Sequence, residues 1–178
     1  LLLALGTLVN PGDEVLMPDP SYPCNRHFVS AADGQAVLVT TGAAERFQLS
    51  AEQVQAHWRD GRTRGVLLAS PSNPTGTSIE PSELRNIVQT VRERGGVTLV
   101  DEIYLGLSYE SRFGNTALAL GEDVISINSF SKYFGMTGWR LGWLVLPPEL
   151  VAPVEKLAQN LYICASAVAQ HAALACFE

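Results

Sequence analysis

Several features that would announce a function are scarce or missing in this sequence. Its 178 residues include three cysteines and three histidines. Cys24, Cys164 and Cys176 are odd in number and lack metal-like spacing, so they read as free thiols in a reducing, cytoplasmic setting. His27, His57 and His171 form no constellation with them, and no metal is expected. Positive charge is short as well: 12 Lys and Arg stand against 18 Asp and Glu, a formal net charge of −6. With no basic block to track phosphates, a nucleic-acid surface is not expected. The apolar opening is too short to span a bilayer, and no charged segment precedes it as in a signal peptide, so no membrane partner is expected either. There is no internal repeat, low-complexity tract or linker.

What is present is apolar and patterned. Hydrophobic residues make up 47% of the chain, which excludes disorder and gives a single domain enough material for a core. Glu14–Met17, Ala36–Thr40, Gly65–Ala69, Val97–Val100, Val124–Asn128 and Leu141–Leu146 read as strands, mostly buried, with β-branched residues and flanking turn signals. Helical patterns lie between them. Ser50 to Gln53 has capping-box spacing ahead of Val54 and Trp58. Pro81 suits a first helical position, and Leu84, Ile87, Val88 and Val91 follow at helical spacing until Gly95-Gly96. A further helix opens at Pro147-Pro148, with a break near Cys164–Ser166 before a last one. Alternating strands and helices predict an α/β domain with a mostly parallel sheet flanked by helices. The opening residues read as a helix broken at Asn10-Pro11-Gly12, and the chain as a piece of something longer.

In open α/β sheets ligands bind beyond the carboxyl ends of the strands. Three polar clusters fall there: Asn73 in "SPSNPTG", Asp101 in "VDEIY" and Lys132 in "SFSK". Each has a plainer explanation. Lys132 could be a solvated charge, Asn73 a turn former, Asp101 a helix cap and Arg140 the partner of a surface carboxylate. Tyr22 and Tyr104 could be amphipathic edges of the core. Together they are chemically complementary. A lysine amine forms Schiff bases with carbonyl compounds, and an aspartate stabilises a protonated pyridine nitrogen. Ser129, Ser131 and Arg140 can hold a phosphate, the arginine through a bidentate fork. Asn73 and Tyr104 offer hydrogen bonds to a phenolic oxygen, and the face of Tyr22 can stack on a ring. That set fits pyridoxal 5′-phosphate.

Through "NPGDEVLMPDPSYP", "SPSNPTG", "VDEIY" and "SFSKYFGMTGWRLGW", in this order, the chain resembles the class I/II aminotransferases of fold type I. The resemblance implies six strands of an aspartate-aminotransferase-like large domain, the last of them antiparallel. It implies that Lys132 carries the cofactor as a Schiff base and shuttles a proton between the substrate α-carbon and the cofactor. Asp101 would pair with the pyridinium, while Asn73 and Tyr104 would bond the ring's 3′ oxygen. Tyr22 would stack on the ring, and Ser129, Ser131 and Arg140 would bind the phosphate. The reaction implied passes an amino group from an amino acid to a 2-oxo acid, in a homodimer.

The same resemblance places other family parts outside residues 1–178. These are an N-terminal strand with its glycine-containing turn, the small domain with its carboxylate-binding arginine, and a tyrosine from the neighbouring subunit. Residues 1–178 are accordingly expected to be an incomplete large domain with weak transamination or none. Two rivals share the constellation: a lyase of the same fold, and the aminotransferase-like sensor domain of a transcription regulator.

Overall fold

Successive side chains along a strand point to opposite faces of a sheet, and here both sets are apolar. That pattern requires cover on both sides. In the computed structural model, which describes residues 1–178, helices supply it. The strands are β1 (Glu14–Asp19), β2 (Gln35–Thr40), β3 (Thr63–Ala69), β4 (Val97–Asp101), β5 (Val124–Ser129) and β6 (Gly142–Val145). They form one sheet in the order β2-β1-β3-β4-β5-β6, parallel throughout except for the antiparallel pair β5–β6. Helices α1 (Leu2–Leu8), α2 (Cys24–Ser30), α3 (Ala51–His57), α4 (Pro81–Glu93), α5 (Pro148–Leu161) and α6 (Ala167–Leu174) complete the fold.

The alternation is visible within β3. Val66 and Leu68 join the cluster that contains Val54, Leu84, Ile87, Val88 and Val91 of α3 and α4. Leu67, between them, joins Leu5 of α1, Val29 of α2, Leu99 and Ile125 on the opposite face. Gly65 has a packing reason to lack a side chain, because a Cβ there would run into the Val97 carbonyl oxygen of β4.

The expected local signals are realised. Ser50 Oγ accepts the Gln53 N–H and Gln53 Oε1 accepts the Ser50 N–H, each at 3.1 Å, so the capping box closes at the start of α3. Pro81 opens α4, and the chain leaves it through Gly95 at φ +68, a left-handed turn that glycine enters without steric cost. The break between α5 and α6 falls at residues 162–166. One strand differs from expectation. Leu141–Leu146 reads as buried, but the observed β6 is shorter and mostly exposed, because it lies at the sheet's edge with β5 as its sole strand neighbour. No helix is long and apolar enough to cross a membrane.

Candidate active site

Four adjacent parallel strands, β1, β3, β4 and β5, run in one direction and deliver their following residues to one edge of the sheet. A cavity of about 260 Å³ lies there. Its lining includes Tyr22 after β1, Asn73 after β3, Asp101 at the end of β4 with Tyr104 beyond it, and Ser129 at the end of β5 with Ser131, Lys132 and Arg140 beyond it. All eight residues singled out from the sequence are therefore brought together. Ala69, Ile103 and Thr137 also line the cavity and were not singled out.

Asn73 rides on a loop closed by its own backbone. The Ser72 N–H donates to Thr77 O at 2.9 Å and the Gly76 N–H to Ser72 O at 2.8 Å. The Ile79 N–H reaches Ser70 Oγ at 3.1 Å, and the Ser70 N–H donates to Asp101 O at 3.1 Å. The last bond ties this loop to the end of β4.

Asp101 is partly buried and its Oδ1 accepts the Ile103 N–H at 3.1 Å. That bond closes a local turn and caps no helix, because the next helical turn, Leu105–Leu107, has Tyr104 at its N-cap and no side-chain cap. Burial pushes its carboxyl above the ordinary aspartate range, and the Ile103 hydrogen bond works against that rise. Glu102, the next residue, is buried and collects three donors: Thr116 Oγ1 at 2.8 Å, the Ala117 N–H at 2.6 Å and Ser126 Oγ at 2.6 Å. It anchors the end of β4 to β5 and to the short helical turn Ala117–Leu120. Its partners lie 14 to 24 residues away in sequence, so no local signal singles it out.

The connection from β5 to β6 is held by its apolar residues, which leaves its polar ones for the cavity. Phe130 and Met136 are buried, and the Phe130 ring lies 5.1 Å from Phe134 and 5.0 Å from Trp143 between centroids. Lys132, two residues from Phe130, is exposed, with Nζ 5.9 Å from the centre of the Tyr104 ring. Ser129 Oγ sits 2.9 Å from Ser131 Oγ and accepts the Ser131 N–H at 3.0 Å. Thr137 Oγ1 donates to Ser131 O at 2.6 Å, fixing the turn that carries both serines. Arg140 occupies the left-handed region at φ 54, uncommon for a side chain of its size, and its Nη1 donates to Thr137 O at 3.0 Å.

The ion pairs of the chain involve neither Lys132, Arg140 nor Asp101. The explanation of Arg140 as a surface-pairing residue is thereby removed. The cavity holds two basic side chains, Lys132 and Arg140, without an ion-pair partner, and a partly buried carboxylate that no side-chain cation pairs. Such a layout suits a ligand that is anionic at one point and cationic at another. Pyridoxal 5′-phosphate, with its phosphate and its pyridinium, has that character, so the donor set fits the group.

Comparison with known proteins agrees in kind. The family model described as aminotransferase class I and II matches residues 1–178. A valine–pyruvate aminotransferase of Mycobacterium tuberculosis is 40% identical over 177 residues, covering 99% of this chain and 45% of that protein. An aspartate aminotransferase of Sulfurisphaera tokodaii is 34% identical over 186 residues, covering 100% and 45%. The crystal structure of an aminotransferase from Mycobacterium tuberculosis superposes with a TM-score of 0.93 at 40% identity, covering 99% of this chain and 46% of that one. That of an aspartate aminotransferase from Thermotoga maritima gives 0.92 at 33% identity, with 97% and 46% covered. The chain spans less than half the length of these relatives.

Proposed function

The chain belongs to the class I and II aminotransferase family, and on that premise we propose that the intact protein transfers an amino group between an amino acid and a 2-oxo acid, using pyridoxal 5′-phosphate. The carrying observation is the convergence of eight residues from four separate connections on one cavity with unbalanced charges. When bound, the cofactor supplies an electrophilic carbonyl and an electron-withdrawing ring.

The chain's own residues have separable tasks in this proposal. Lys132 Nζ would hold the cofactor's carbonyl carbon covalently, and as a free amine would take and return the proton at the substrate α-carbon. The Asp101 carboxylate holds the proton of the ring nitrogen, an interaction that relieves the cost of its own burial. Asn73 and the Tyr104 hydroxyl bond the ring's phenolic oxygen, and Tyr22 covers one ring face. The Ser129 and Ser131 hydroxyls and the Arg140 guanidinium hold the phosphate, with Thr137 keeping their turn in place. Residues 1–178 are proposed to be the core of the cofactor-binding large domain, weakly active or inactive alone. A homodimer is part of the proposal, resting on the resemblance to the family. So is a cytoplasmic location, supported by three free cysteines.

Lys132→Ala in the full-length protein is the direct test. Loss of proton transfer alone should lower transamination by about 10²–10⁴-fold. Borohydride treatment should no longer fix the cofactor to the chain, as read by mass spectrometry. A variant that turns over amino acids at the parental rate refutes the proposal.

A further inference from the structure

We infer that Gln48, outside the cavity lining, is a positioning residue whose buried carboxamide staples both limbs of the 70–77 loop and so holds Asn73 at the cavity. The inference rests on the function proposed above. Gln48 is 4% exposed. Its Nε2 donates to Ala69 O at 3.2 Å, to Thr77 O at 2.8 Å and, more weakly, to Thr77 Oγ1 at 3.3 Å. Ala69 ends β3 and lines the cavity, while Thr77 lies on the returning limb. Asn73 lies between the two stapled points.

The staple is itself fastened. Arg46, just before it, pairs with Glu80 at the start of α4, and the Arg46 guanidinium lies 5.2 Å from the centre of the Phe113 ring. Just after it, the Ala51 N–H donates to Glu83 Oε1 at 2.6 Å. The segment thus runs as a strap across the outgoing end of the loop, with Gln48 reaching inward. Its Oε1 is buried and has no hydrogen-bond partner. An apolar side chain of similar length would fill the space without that orphaned acceptor. What the amide adds is direction, through two carbonyls that accept only from a donor placed between them.

The test uses the full-length protein with its cofactor, comparing Gln48→Met, Asn73→Ala and the double variant. Methionine keeps the length and removes both donors. Amide hydrogen exchange at Ser72, Gly76 and Ile79 should become at least about tenfold faster in Gln48→Met, while β3 and β4 stay protected. The pH midpoint of the bound cofactor's absorbance should rise in Gln48→Met, as in Asn73→Ala, because both loosen the same bond to the ring oxygen. In the double variant the midpoint should rise no further than in Asn73→Ala alone. A residue that merely supports the fold would lower the melting temperature and leave that midpoint in place. A midpoint that responds to Asn73→Ala but not to Gln48→Met, or summed shifts in the double variant, overturns this inference alone. A full-length protein without a cofactor chromophore overturns the functional reading and this inference with it. If Gln48→Met does not fold, Gln48→Asn, one methylene short of Thr77, carries the same expectations.

Discussion

Glu102 offers the sharpest test of how the site is held. Its carboxylate is 3% exposed and is satisfied by neutral donors, Thr116 Oγ1, the Ala117 N–H and Ser126 Oγ. Alanine would remove the acceptor for all three. The two hydroxyls can rotate towards other acceptors, but the Ala117 N–H is fixed by the backbone and stays orphaned. Hydrogen bonds to charged groups contribute about 1.5–3 kcal/mol each and do not add fully, so Glu102→Ala should cost about 3–5 kcal/mol. That is a large share of the stability of an ordinary domain. Glu102→Gln keeps one oxygen for the Ala117 N–H, and its amide can donate to a rotated hydroxyl. It should cost only about 1–2 kcal/mol. Urea unfolding of the full-length protein and the two variants measures both values, with the slope unchanged. A loss under about 1 kcal/mol for alanine, or equal losses for the two variants, would show that the carboxylate network does not hold the end of β4.

Two further substitutions test the charge and the packing. Asp101 has its pKa raised by burial, so its contribution to stability is complete below the unfolded-state value and is lost as pH rises through the folded-state value. Asp101→Asn should therefore gain stability relative to the cofactor-free parent as pH rises from about 4, while turnover of the loaded enzyme falls about 10²-fold or more. Melting curves across pH that keep a constant difference would contradict the first half. Gly65→Ala places a Cβ against the Val97 carbonyl of β4, which must move, and should cost about 1–3 kcal/mol by calorimetry. An unchanged melting temperature would mean that the two strands are not packed as closely as described.

Much of the fold was legible because its signals are local. The capping box at Ser50, the proline at the start of α4 and the glycine pair after it each act within one turn of helix. The apolar runs that became β1, β3, β4 and β5 announce burial on both faces. Edge position leaves no such mark. Leu141–Leu146 is as apolar as a central strand, and its exposure follows from the absence of a second strand neighbour.

The site divides in the same way. The identities of Lys132, Asp101, Asn73, Tyr104 and the phosphate-binding candidates follow from residue type and from position after a strand. Parallel strands must bring such positions to one edge, so their meeting was also open to inference. Glu102 and Gln48 were not. An acidic residue beside Asp101 and a glutamine in a loop gain meaning only from partners 14 to 29 residues away in sequence. The sequence by itself determined the chemistry available: an amine, a carboxylate, hydroxyls and a guanidinium at strand ends. Tertiary structure alone decided which of those charges remain without partners and which buried amides and carboxylates hold them in place. Pairing is a property of distances across the fold, and residue type does not specify distance.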